Sequence, residues 1–306
     1  MGQARQVAAR LRGVFAPVVT PFDARSGELD RSAFERNLGA HVAAGVHGVV
    51  VAGSTGEAAL LDEAERASLV AWARPVIGEA LLIAGAGAES TRTAVRLAKQ
   101  AAAQGADAVL VVAPHYYGES AMTPGALMSH YLRVADQSPV PVILYNIPKY
   151  VRFALPPALV RDLSAHDNVV GLKDSSGDGA LFDSYLSSQS ETFSVLTGYA
   201  STFAAALTRG ARGGILAVSM FAPALTMAVY EASLRGDEAS ASEAQARLAP
   251  LATQIVGGLG VPGVKAALDH VGLAGGPPRP PLQPLGGAER ERVAALLAAA
   301  ELYAAA

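Results

Sequence analysis

A (β/α)8 (TIM) barrel followed by further helices is the fold this sequence predicts, on three observations. Short apolar runs recur along the chain and are continuous rather than alternating, as in parallel strands buried on both faces. Ala- and Leu-rich amphipathic stretches separate them at about 30-residue spacing, the rhythm of strand–helix units joined by right-handed crossovers. A junction also repeats: Ala44-Gly45-Val46-His47-Gly48-Val49-Val50-Val51-Ala52, Gln104-Gly105-Ala106-Asp107-Ala108-Val109-Leu110-Val111-Val112 and Arg209-Gly210-Ala211-Arg212-Gly213-Gly214-Ile215-Leu216. In each, a Gly stands where a helix closes through a left-handed residue before the next strand.

Taken in order, Met1 to Gly13 carries Arg5, Arg10 and Arg12 and no acid, which fits a short surface helix or arm better than a transit peptide. Strands are expected near Gly13–Val19, Gly48–Ala52, Leu81–Ala84, Ala108–Val112, Val142–Tyr145, Val169–Lys173, Ser194–Leu196 and Gly214–Val218. Helices are expected over Ser32–Ala44, Asp62–Ile77, Thr91–Gln104, Pro124–Ala135, Pro157–Leu163 and Thr202–Thr208. Eight units favour a closed barrel over an open doubly wound sheet, and no Gly-x-Gly-x-x-Gly follows the first strand to suggest a dinucleotide site. The barrel is assigned residues 1–222. Residues 223–306 are read as a C-terminal helical extension packed on it, with breaks at Gly257–Pro262 and at the stiff connector Gly275–Pro281.

Composition narrows the function. With 24 Lys+Arg against 27 Asp+Glu, the net charge of −3 gives no field for gripping nucleic acid or anionic lipid. No apolar run approaches the ~20 residues that span a bilayer, and a cytoplasmic location is expected. The absence of cysteine excludes disulfides, thiol nucleophiles and Cys-based metal sites. The six histidines are scattered with no metal-ligand spacing, so neither a metal nor another cofactor is expected.

Barrel enzymes place their chemistry at the C-terminal ends of the strands. Only four lysines occur, Lys99, Lys149, Lys173 and Lys265, in a chain that otherwise uses Arg. Val169-Val170-Gly171-Leu172 carries Lys173 into the barrel mouth, where desolvation favours the neutral amine that attacks a carbonyl. Arg cannot do this chemistry, so a lysine retained there is informative. An ordinary strand-end lysine paired with Asp174 is the bland alternative, and Lys149, on a loop, is the rival nucleophile. Tyr145 ends the neighbouring strand and suits a proton shuttle, or else packs its ring with a structural hydroxyl. Gly53-Ser54-Thr55-Gly56 offers two hydroxyls and several N–H groups to a carboxylate, or is a plain strand-to-helix turn.

Together these residues resemble the dihydrodipicolinate synthase/N-acetylneuraminate lyase family of class I aldolases. The resemblance runs from Gly13-Val14-Phe15-Ala16-Pro17-Val18-Val19-Thr20-Pro21-Phe22 to Gly275-Gly276-Pro277. It is carried by Gly53-Ser54-Thr55-Gly56-Glu57, Tyr145-Asn146-Ile147-Pro148 and Gly171-Leu172-Lys173-Asp174-Ser175-Ser176-Gly177-Asp178. It implies that Lys173 forms an imine with pyruvate or another 2-oxo acid, that Tyr145 relays protons, and that Ser54 and Thr55, with Gly53, seat the carboxylate. It further implies that Tyr117 enters from a neighbouring subunit in a homotetramer built from dimers, with Gly198 and Leu216 bordering the substrate.

The second substrate is where this chain departs. Synthases of the family carry an Arg where this chain has Tyr150, and Arg152 is the nearby cation that could replace it. The segment Asp174-Ser175-Ser176-Gly177-Asp178 looks more like that of 4-hydroxy-2-oxoglutarate aldolases, with Ser175 placed to bond the substrate. The resemblance therefore implies a lyase cleaving 4-hydroxy-2-oxoglutarate to pyruvate and glyoxylate. The alternatives are 4-hydroxy-tetrahydrodipicolinate synthase, condensing pyruvate with aspartate semialdehyde, and a non-catalytic 2-oxo-acid binding protein.

Overall fold

The computed structural model describes residues 2–302. Its eight parallel strands are β1 (Gly13–Pro17), β2 (Gly48–Val51), β3 (Leu81–Gly85), β4 (Ala108–Val112), β5 (Val142–Asn146), β6 (Val169–Asp174), β7 (Ser194–Thr197) and β8 (Gly213–Ile215). Each pairs with its neighbour in sequence, and β8 returns to β1, so the sheet is a closed barrel. The apolar runs become strands because both of their faces are covered, one by the barrel interior and one by helices. β8 is shorter than the expected Gly214–Val218. After Leu216 N–H bonds Phe15 O, the Ser219 hydroxyl donates back to Leu216 O at 2.7 Å and the chain coils into a 3-10 turn over Ala217–Met220.

The helix α1 (Gln3–Arg10) is the short surface helix expected there, anchored to the barrel along one side. Val7, Ala8 and the following Leu11 are buried, and a Cβ at Gly171 would come within 2.8 Å of Leu11 Cδ2 and 2.5 Å of Ser194 O. The N-terminal segment thus closes the bottom of the barrel, where apolar side chains stabilise without taking part in chemistry. The outer layer then holds α2 (Arg31–Ala43), α3 (Glu63–Ile77), α4 (Thr91–Ala103), α5 (Pro124–Gln137), the short α6 (Pro148–Val151), α7 (Pro157–Leu163), α8 (Gly179–Leu186) and α9 (Phe203–Thr208). Helix starts are chemically marked: Asp30, Ser90, Thr123 and Asp178 cap their first turns through side-chain oxygens, and Asp62 with Glu65 makes a reciprocal capping box.

Beyond residue 222, α10 (Pro223–Leu234) packs beside α9, with Tyr230 stacked on Phe203 at 6.5 Å between ring centroids. The helical run Glu238–His270 passes from α11 (Glu238–Pro250) through a π-helical segment (Leu251–Leu259) into α12 (Gly260–His270), and the break expected at Gly257–Pro262 falls within it at Gly260, whose φ of 62° and ψ of −146° leave the helical region. Glycine takes that conformation without strain, and Pro262 then sits in the first turn of α12, where its missing N–H costs no hydrogen bond. This run is long and apolar enough to cross a membrane, with mean hydropathy 1.3, yet 44% of its most apolar window is buried in the fold. The connector after α12 is pinned by Asn37 Nδ2 to Ala274 O at 2.7 Å and by Gly275 N–H to the Asp269 carboxylate at 2.8 Å. α13 (Gly287–Ala299) then packs on α12.

Candidate active site

Register brings the polar strand ends together. In the β5–β6 pair Tyr145 lies opposite Lys173, and Asn146 opposite Asp174. Successive residues of a strand face opposite ways, so each motif divides its labour. Tyr145 and Lys173 turn into a cavity of about 170 Å³ at the barrel mouth, small beside the ~300–1,000 Å³ of drug-sized sites. Asn146 and Asp174 turn outward and bond each other, Nδ2 to Oδ1 at 2.7 Å, while Asn146 Oδ1 accepts the Leu155 N–H. Burial pushes the Asp174 carboxyl up, against the hydrogen bonds from Asn146 and Ser176 that hold it down.

Lys173 is 6% exposed. Among the described residues no carboxylate lies within ion-pair distance of its Nζ, so it is not the strand-end lysine paired with Asp174. Its one close charge-compatible neighbour is the face of the Tyr145 ring, 4.3 Å from the ring centroid. Room for the amine depends on Gly198: a Cβ there would overlap Ser175 Oγ and stand 2.7 Å from Lys173 Cε. The arrangement presents a primary amine, a phenol and several hydroxyls to one small space, which suits carbonyl addition followed by proton relay.

Ser54 and Thr55 line the same cavity. Their turn is strained at both ends, since Ala52 (φ 49°) and Glu57 (φ 60°) are non-glycine residues in the left-handed region. Backbone bonds from Glu57 N–H to Ser54 O and from Ala58 N–H to Gly53 O tighten it, and the Thr20 hydroxyl donates to Gly56 O at 2.7 Å. The rim comes from farther along the chain: Lys149 and Tyr150 from α6, Tyr199 after β7, and Thr253 and Gly257 from the π segment. Lys149 Nζ donates to Gly257 O at 2.9 Å and ties those two walls together.

The family model for the dihydrodipicolinate synthetase family matches residues 10–300. The chain belongs to that family. A 4-hydroxy-tetrahydrodipicolinate synthase of Stenotrophomonas maltophilia is 38% identical over 241 residues, covering 78% of this chain and 80% of the relative. The dihydrodipicolinate synthase of Acinetobacter baumannii, solved with pyruvate, superimposes with a TM-score of 0.89 at 30% identity, covering 95% of this chain and 99% of that one. A monomeric dihydrodipicolinate synthase variant superimposes with a TM-score of 0.90 at 30% identity, covering 96% and 98%. As a member of this family, the chain is a carbon–carbon lyase of the class I aldolase type.

Of the family residues expected in the site, Lys173, Tyr145, Ser54, Thr55, Ser175 and Gly198 line one cavity. Gly53 lies behind it as a backbone element of the turn. Leu216 is buried with its side chain against Gly214, and Ile215 and Ala217 supply the wall there. Arg152 is outside the lining: it ends α6 in the left-handed region (φ 71°), which turns the chain away from the mouth. The rim cation is Lys149 instead. Ser176 also serves elsewhere, since its hydroxyl donates to Asp174 Oδ2 at 2.8 Å. Tyr117 is 73% exposed and sits edge-on to Tyr116 on the surface, outside the cavity of its own chain. Sequence reasoning missed Thr253 and Gly257 as rim residues, because helical periodicity says nothing about which turn of a late helix crosses the barrel mouth; Tyr199 follows the end of β7, a position that points to the mouth. Among the described residues no group of His, Asp or Glu side chains converges in a metal-binding cluster.

Proposed function

We propose that this chain joins pyruvate to a small carboxylated aldehyde through an imine on Lys173, with aspartate semialdehyde as the electrophile. The observation that carries the Schiff-base step is Lys173 itself, buried without a carboxylate partner and facing Tyr145 and the Ser54–Thr55 hydroxyls. The choice of electrophile is supported by the relatives, which are named 4-hydroxy-tetrahydrodipicolinate synthase. In this reading the Lys173 amine adds to the 2-oxo carbon. Tyr145 returns a proton to the departing hydroxyl, and water leaves. Loss of a proton from the methyl carbon gives an enamine, whose carbon attacks the aldehyde. Ser54 and Thr55 hold the pyruvate carboxylate, and Lys149 stands where the second carboxylate arrives. Tyr117 joins the proton relay from a second copy of the chain, in a dimer of dimers.

A second reading keeps the same imine and runs carbon–carbon cleavage on 4-hydroxy-2-oxoglutarate. One observation favours it: among the described residues no arginine lines the cavity, while Ser175 stands beside Lys173 where it can bond a 4-hydroxyl. Borohydride trapping with pyruvate, read by peptide mass, tests the shared step, and an adduct on the Lys173 peptide is expected. No adduct at any lysine overturns the imine reading, and an adduct on Lys149 moves the nucleophile. The two electrophile readings separate in side-by-side kcat/KM assays, where faster condensation of aspartate semialdehyde than cleavage of 4-hydroxy-2-oxoglutarate is expected.

A further inference from the structure

A second lysine is buried more deeply than Lys173. Lys265, on α12, is 1% exposed and pairs with Glu57, 0% exposed, at 2.6 Å between Nζ and Oε1. Its aligned N–H bonds go to Thr20 O and Pro277 O, both at 2.8 Å, and its ammonium lies 4.6 Å from the centre of the Phe22 ring. Glu57 Oε2 in turn accepts the Arg279 N–H at 2.8 Å. Burial pulls the Lys265 ammonium below its usual range, against the pull of Glu57. A pair of this kind is a poor stabiliser, because desolvating two ions offsets most of their attraction, and apolar residues of similar shape often do as well. Its position is therefore the informative property.

Both of its arms end on the hydroxyl turn. Glu57 is the left-handed residue directly after Ser54-Thr55-Gly56, and its N–H closes the turn on Ser54 O. Thr20, whose carbonyl Lys265 holds, donates its own hydroxyl to Gly56 O. One ammonium thus grips the turn from two sides, while Arg279 braces Glu57 from the connector.

We infer that Glu57 and Lys265 are positioning residues, which hold the strained Ser54–Thr55 turn in the geometry that receives a carboxylate. This rests on the reading of that turn as the pyruvate carboxylate seat. Paired charges can be deleted together, so the double variant Glu57→Gln/Lys265→Met leaves no lone buried ion, and its Gln can still accept the Arg279 N–H. Two readouts are taken. Hydrogen exchange at the amides of residues 53–58, without any ligand, is expected to speed up by about tenfold or more relative to the rest of the barrel. The pyruvate concentration giving half-maximal borohydride trapping is expected to rise about tenfold, with saturated trapping still on Lys173. Unchanged exchange at 53–58 overturns the proposal whatever pyruvate does. Faster exchange with unchanged half-saturation overturns its functional half. If the parent protein itself traps no pyruvate, the carboxylate-seat reading fails, and the exchange data alone decide whether the pair holds the turn.

Discussion

The two buried lysines show what burial alone does and does not mean. Lys173 and Lys265 are both nearly inaccessible, and both lie over an aromatic face, Tyr145 at 4.3 Å and Phe22 at 4.6 Å. Lys265 has a carboxylate and two carbonyls around its ammonium, so its charge is countered and two of its three N–H groups are bonded by the protein. Lys173 has no such shell and opens on a cavity. A paired ammonium is committed to the fold, whereas an amine without such partners is free to react once its proton has left. Burial is common to both, and the partners decide which outcome follows.

The comparison breaks most visibly by truncating each lysine. Lys173→Ala should lower kcat by at least ~10³-fold, the scale on which loss of a covalent nucleophile is felt, while the melting temperature moves little because no ion pair is broken. A stable Lys173→Ala protein that keeps its turnover sinks the distinction. Lys265→Ala should do the reverse and destabilise the fold by about 3–5 kcal/mol, since Glu57 is left as a lone buried charge. Chemical denaturation measures it, and a loss below about 1 kcal/mol would show that Glu57 finds water. Sharper tests leave the amine in place. Gly198→Ala pushes a methyl into the space of Ser175 and Lys173, and a ~10²-fold fall in kcat with an unchanged fold is expected from displacement of about an ångström. Tyr145→Phe keeps the ring under Lys173 and removes only the phenol, so a fall of ~10²-fold in kcat with little change in KM is expected. If only KM rises, the hydroxyl is a binding group.

The smallest effect lies away from both lysines. Burial pulls His41 and His130 down to about 4. Between the ordinary histidine value near 6.5 and about 4, the unfolded chain takes up protons that the folded chain refuses. Stability should therefore be insensitive to these residues above pH 6.5 and decline as pH falls toward 4. Melting temperatures across that range check it. A flat profile would mean that one or both rings gain an acceptor on protonation.

Most of the barrel was legible because buried parallel strands are continuous apolar runs, and a lysine or tyrosine that ends such a run must face the mouth or the helix layer. Tyr145, Lys173, Ser54 and Thr55 came from that logic. What stayed hidden depends on partners distant in sequence. Leu11 looks like part of a surface arm until Gly171 is brought against it. Lys265 reads as one more residue of a late helix until Glu57 is seen beside it. The exchange of Arg152 for Lys149 at the rim turns on a single left-handed residue ending a four-residue helix, a local detail that residue spacing does not encode. The π segment stayed hidden too: Gly257 and Pro262 announce the interruption that falls at Gly260, but residue spacing does not encode the wider turn before it.

The seam between β1 and β8 has a consequence for how the molecule is made. Every other pairing joins strands that follow one another along the chain, but Gly13 meets Gly213 only after almost the whole barrel exists. Until then the growing sheet has two raw edges, β1 and whichever strand came last, each with a row of unmet N–H and C=O groups. Any fragment that stops short of Gly213 keeps both, and so does a chain still emerging during synthesis. The barrel is thus safe from sticking to other copies of itself only once its final strand arrives, and the helix that follows can seal the join.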